Sequence, residues 1–168
     1  MIIYGEILKE FQKKRVKYII VGGIAFNLLG GERATSDLDI LVKMSNLNLA
    51  KIVTILKKRG YRVKQPVDPM GIANKTIRED WIHNKNMKAF NFYKEDEFKE
   101  VDIIIETPVS FDTAKKTVQH IKLAEITVPV ISIKNLIKMK QEAKRPVDQV
   151  DIAELQEIAK HKKNKRYV

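Results

Sequence analysis

Residues 18 to 43, YIIVGGIAFNLLGGERATSDLDILVK, constrain this chain more than any other stretch. Tyr18 to Val21 is a short, apolar, β-branched run that ends at Gly22-Gly23, and IAFNLLG has helical character. A second apolar run follows at Leu38, Ile40, Leu41 and Val42, with Asp37 and Asp39 set into it. Side chains two apart on a strand share a face, so these two carboxylates project together. Like charges held side by side repel, and one carboxyl has its pKa raised unless a cation intervenes. A hard divalent ion prefers oxygen ligands, commonly one or two carboxylates with water and substrate phosphates. The pair therefore implies a metal-dependent phosphate site.

Glycines at a strand-to-helix turn let the backbone approach a phosphate closely, and the helix start favours its negative charge. Taken alone, Gly22-Gly23 is equally an ordinary tight turn. It gains meaning from the aspartates on the next strand. A site with two ions needs a further acid, and EVDIIIE at residues 100 to 106 supplies Asp102 within an apolar strand. An acid buried there must be paired or ligate a metal, and the bland alternative is a strand-end carboxylate bonded to backbone or a lysine. Glu100 and Glu106 flank the strand and read as solvated.

The order Gly22-Gly23, Asp37-Leu38-Asp39, Asp102 resembles the nucleotidyltransferase superfamily with the DNA polymerase β type palm. It looks most like the small prokaryotic members akin to the minimal nucleotidyltransferases and AbiEii-type toxins. LIKMKQEAKRPVDQVDIAEL, residues 136 to 155, is similar to the segment where those proteins carry a lysine on one helix, an arginine at the break and aspartates opening the next. One departure is Gly23, which stands where the family's Gly-Ser has its serine.

The resemblance implies a Mg²⁺-dependent transfer of a nucleoside monophosphate from an NTP such as ATP to a hydroxyl, with pyrophosphate released. Asp37, Asp39 and Asp102 would be metal ligands and catalytic groups for two Mg²⁺ ions, with Mn²⁺ an alternative. Gly22 and Gly23 would cradle the nucleotide phosphates; Lys140, at the edge of an apolar helical stripe, reads as a triphosphate contact or a snorkelling surface lysine, and Arg33, on the loop before the Asp strand, as a phosphate contact or none. The implied acceptor is RNA, tRNA included, or a protein hydroxyl, with a toxin–antitoxin partner in view. The alternative is an inactive module of the same fold that binds RNA or a protein partner.

Composition supports a soluble globular chain: 168 residues, 44% hydrophobic and 32% charged. One domain spanning 1–168 is expected, large enough to bury roughly 70% of its unfolded surface. No apolar run approaches the roughly 20 residues of a membrane span. Absence of cysteine excludes disulfides and thiolate metal sites and fits a reducing cytoplasm. A net charge of +11 favours polyanionic partners, or else reflects a lysine-rich solubilised surface. The tail HKKNKRYV is basic and reads as a solvated end or a nucleic-acid contact.

The remaining elements follow from periodicity. Ile3, Ile7 and Phe11 mark an amphipathic first helix; Leu49, Ile52, Val53 and Leu56 mark another, capped at Ser45 or Asn46 and stopped at Gly60. Residues 61 to 86 carry Pro66 and Pro69 and read as a polar helix from Thr76 to His83 or an irregular lid. Met87 to Tyr93 alternates and forms a hairpin with the Asp102 strand. A β-rich stretch at 121 to 131 is interrupted at Pro129, and two helices split at Pro146 occupy about 132–162. The expected fold is α/β, a mixed sheet of about five strands with packed helices. Trp81, with Phe90, Phe92 and Tyr93 nearby, reads as core or as a base-stacking surface. His83, His120 and His161 lack metal-ligand spacing, and no Walker loop or G-x-S-x-G occurs.

Overall fold

The computed structural model describes residues 3 to 164, so residues 165–168 of the basic tail lie outside it. Its centre is one mixed sheet of seven strands. The strands are β1 (Tyr18–Ile20), β2 (Leu38–Val42), β3 (Arg62–Val63), β4 (Ala89–Lys94), β5 (Lys99–Ile104), β6 (Gln119–Leu123) and β7 (Ile126–Val130). They lie in the order β3-β4-β5-β2-β1-β7-β6.

Two more strands are present than periodicity suggested. One is β3, only two residues long and paired to β4 through Arg62↔Tyr93 and Val63↔Phe92. The other arises because 119–130 is a hairpin rather than one interrupted strand. Its turn places Ala124 at φ 52, without the Asn-Gly or Gly that usually announces such a turn. Pro129 is tolerated because β7 meets β1 only through Ile20↔Val130, so the strand is nearly an edge where the N–H is missing.

The helices are α1 (Gly5–Lys13), α2 (Gly22–Leu28), α3 (Asn46–Lys58), α4 (Lys75–His83), α5 (Phe111–Lys115), α6 (Ile133–Ala143) and α7 (Pro146–Asn164). In α1 the buried stripe is Ile7, Leu8 and Phe11, while Ile3 precedes the helix and is 58% exposed. Tyr4 takes the buried position instead. Ser45 caps α3 by accepting the Asn48 N–H, as its position before an apolar-periodic run requires. Asn48 itself is buried and joins the ends of β1 and β2, accepting from Lys17 N–H and donating to the Lys17 and Lys43 carbonyls.

The segment between β3 and β4 is ordered around one buried cation. Arg78, on α4, donates to the carbonyls of Ile72 (2.6 Å) and Met44 (3.1 Å) and to Asn46 Oδ1 (3.3 Å). Trp81 stacks on Phe90 at 5.5 Å, and Phe90 meets Phe92 edge to face. All three rings are core, not a base-stacking surface. Among the described residues no helix is long and apolar enough to cross a membrane.

Candidate functional site

The parallel pairing of β2 with β5 decides the site. Its register sets Leu38 opposite Val101, Asp39 opposite Asp102 and Ile40 opposite Ile103. Directly opposed residues share a face, so the two carboxylates lie side by side while Leu38, Ile40, Val101 and Ile103 turn the other way into the core. Across β4 and β5, Asn91 is the partner of Asp102, which extends the polar row by one strand. Gln65 donates to Asn91 Oδ1 at 2.7 Å and fixes that amide.

At the other end of the row, β1 runs straight into α2. Val21 N–H donates to the Asp39 carbonyl at 3.0 Å, which brings Gly22 against Asp39. Gly22 has φ +67, and a Cβ there would collide with Asp39 Oδ2. A Cβ on Gly23 would stand 2.9 Å from Thr35 Cβ, so the Thr35 side chain fills the space that a larger residue at 23 would need.

The electrostatics match this crowding. Burial first, then the charges of Asp102 and Asp37, raise the Asp39 pKa to about 7, with Arg145 and Lys140 acting in the opposite direction. Asp102 is also raised, chiefly by burial, with the Asn91 amide opposing and Glu100 and Asp37 adding to the effect. Its Oδ1 is buried without a hydrogen-bond partner.

An orphaned carboxylate oxygen beside a second strained carboxylate suits a hard divalent cation, which would satisfy one and relieve the other. Asp37 stands one residue ahead of β2, and its Oδ1 accepts from the Ser36 hydroxyl at 2.7 Å. Among the described residues no three acidic or imidazole side chains are already gathered closely enough to enclose an ion.

The remaining predicted residues meet in a charged cluster around Asp151. Lys140, on α6, is 3% exposed, and its ammonium meets Asp151 at 2.6 Å and Asp148 at 3.3 Å. Arg33 meets the same Asp151 at 2.7 Å. Arg145 closes on Asp148 through Nε at 2.9 Å while its side chain stays 59% exposed. Lys140 also lies 5.7 Å from the centre of the Phe26 ring on α2. The structure thus brings Gly22, Asp39 and Asp102 together, and joins Arg33 to Lys140 through Asp151.

A cleft of about 670 Å³ opens over Gly22 and Asp39, bounded by Ile104 and Pro108 on one side and by Met139, Lys140 and Arg145 on the other. Another cavity, about 1040 Å³, lies by the start of α1 and the Leu123–Ile126 turn. Its size does not make it the better site. Charged groups lining it are already matched, Lys9 with Glu125, Arg59 with Glu6 and Lys99 with Glu97.

Sequence reasoning overlooked Asn91 and Thr35 as members of the site, and took Arg145 only as the arginine at the helix break. The hairpin between β4 and β5 carried a signal for Asn91, because its register fixes which residue faces Asp102. No local signal pointed to Thr35.

The family model for aminoglycoside-2''-adenylyltransferase matches residues 4–155. Comparison with curated proteins gives no match. Among solved structures, the lincosamide antibiotic adenylyltransferase LnuA with lincomycin bound is similar at 19% identity and TM-score 0.61, over 91% of this chain and 94% of that one. The antibiotic-resistance factor ANT(2'')-Ia is similar in solution at 18% identity and TM-score 0.56, over 94% of this chain and 80% of its own. The same protein in complex with adenylyl-2''-tobramycin gives 15% identity and TM-score 0.55, over 96% and 95%. At these identities the structures speak to fold, and they bear out the nucleotidyltransferase architecture. The family match covers most of the sequence, and on it the chain belongs to the aminoglycoside-2''-adenylyltransferase family, a family of nucleotidyltransferase enzymes.

Proposed function

We propose that this chain transfers AMP from ATP to a hydroxyl group of a small antibiotic-like molecule seated in the cleft over Asp39. The observation that carries the reading is Asp39 opposite Asp102 in register, with Gly22 packed against the Asp39 carboxylate. The family name, the lincomycin bound in one similar structure and the adenylyl-2''-tobramycin in another favour a small acceptor. The RNA or protein acceptor and the toxin–antitoxin setting expected from sequence gain no support from them.

Asp39 and Asp102, with Asp37 one residue ahead of β2, would hold the two Mg²⁺ ions. Bound there, such ions would neutralise triphosphate charge and lower the pKa of the acceptor hydroxyl. Gly22 and Gly23 have no side chains to keep a phosphate from the backbone amides. Arg145, in the cleft lining and the most exposed of the three cations, would meet the outer phosphates; Lys140 and Arg33 would act on them through space. As the acceptor oxygen bonds to the α-phosphorus and the bond to pyrophosphate breaks, Asp102 accepts the hydroxyl proton.

The test is incubation with each α-labelled NTP, MgCl₂ and a panel of lincosamide, aminoglycoside and tRNA acceptors. A mass increase of one AMP on a small molecule, lost in Asp39→Asn and Asp102→Asn, is expected. Label on tRNA alone would overturn the small-acceptor reading, and labelling that survives both substitutions would overturn the site.

A further inference from the structure

We propose that Tyr4 is a positioning residue for this site: its hydroxyl ties together the backbone segments that lead into the two acid-bearing strands. The inference rests on the reading that Asp37, Asp39 and Asp102 hold a divalent cation. Tyr4 lies far from them in sequence and touches none of their carboxylates.

Its hydroxyl is within hydrogen-bond reach of the Ser36 carbonyl and lies 2.8 Å from the Glu100 carbonyl. It also accepts from the Glu100 N–H at 3.1 Å. A phenol has one proton, so it donates to one carbonyl at a time and accepts from the amide. Ser36 immediately precedes Asp37, and Glu100 is two residues ahead of Asp102.

The β2–β5 ladder begins with Leu38 opposite Val101. Tyr4 therefore bridges the two chains just where their own pairing has not yet started. Asp37 falls in that gap, held on one side by β2 and on the other by the Ser36 contact. Without the bridge, the stretch carrying Asp37 is joined to β5 only from one end, and the spacing of Asp37 from Asp102 is free to widen.

The backbone of Tyr4 supports a purpose beyond packing. It has φ 64, a left-handed conformation uncommon for a bulky residue, while its ring is only 3% exposed. In that conformation the hydroxyl reaches the backbone of Ser36 and Glu100.

The fold contains its own control. Asn48 makes a comparable side-chain tie, of three hydrogen bonds, at the opposite end of β2, between Lys17 and Lys43, where no acid is carried. Tyr4→Phe removes one hydroxyl and keeps the ring, so the variant should fold. Asn48→Ala removes a tie of similar size away from the site.

The experiment is titration of the full chain with Mn²⁺ by calorimetry, alongside thermal melting of each variant. Tyr4→Phe is expected to weaken Mn²⁺ binding about fivefold, the effect of losing one hydrogen bond's worth of positioning. Asn48→Ala is expected to melt at least as low as Tyr4→Phe while binding Mn²⁺ like the native chain. Native-like Mn²⁺ affinity in Tyr4→Phe overturns the inference, as does equal weakening in Asn48→Ala. If the native chain binds Mn²⁺ and Asp39→Ala does not, the metal reading stands whatever Tyr4→Phe shows. If the native chain binds none, both fall.

Discussion

The Asp39 carboxylate fills the space beside Gly22 that any side chain there would need: a Cβ on Gly22 would lie 2.7 Å from Asp39 Cγ and 2.9 Å from its Cβ, and would overlap Oδ2. The glycine serves two needs at once, since its φ of +67 also belongs to the left-handed region. Strand, turn and acid are therefore packed as a single unit.

Gly22→Ala should displace Asp39 and reduce nucleotidyl transfer by at least about 100-fold, as small misplacements of reacting groups do. The backbone strain alone costs about 1–2 kcal/mol. Gly30→Ala is the matched comparison, because Gly30 has φ +115 but its nearest neighbour, Ile158 Cδ1, is 3.8 Å away. It should lose stability and keep its transfer rate. Equal activity loss in both variants would show that backbone strain, not the Asp39 contact, is what matters.

Stability should depend on pH through Asp39. Unfolded, its carboxyl ionises near 3.9; folded, it holds its proton until about 7. Between those values the folded state binds more protons than the unfolded one, so the metal-free chain should lose stability as pH rises from about 4 to about 7, on the order of 4 kcal/mol across the window. Asp39→Asn should flatten that slope in urea unfolding. Divalent-ion affinity should follow the opposite course, rising toward pH 7 and releasing protons below it, because the ligand is the ionised carboxylate. A slope unchanged in Asp39→Asn would contradict the assignment.

Lys140→Met should cost about 3 kcal/mol in chemical denaturation, the lower end for a broken buried ion pair. It leaves Asp148 and Asp151 buried with only Arg145 and Arg33 as partners. A role confined to binding triphosphate predicts another outcome: unchanged stability and a higher KM for ATP. Measuring both quantities on one variant separates the two.

Local pattern carried much of this fold. The runs of β1 and β2, the glycine turn from β1 into α2, the β4–β5 hairpin and the break at Pro146 all depend on residues adjacent in sequence. Where that adjacency failed, so did the reading. The β6–β7 turn bends at Ala124 with no turn residue to mark it, and β3 is too short to show a period. The region 61–86 looked irregular because what orders it is Arg78, a single side chain whose partners, Met44 and Asn46, are distant in sequence.

The amino-acid sequence determined which groups this protein has to work with: Asp37 and Asp39 two residues apart, the glycines at a strand end, an isolated Asp102 in an apolar run. Tertiary structure alone decided their company. Periodicity tells a strand which face is buried but not which strand it will lie beside, since many pairings bury the same face equally well. Only the assembled sheet selects β5 as the neighbour of β2, sets Asp102 opposite Asp39, and turns the hydroxyl of Tyr4 into the gap ahead of them.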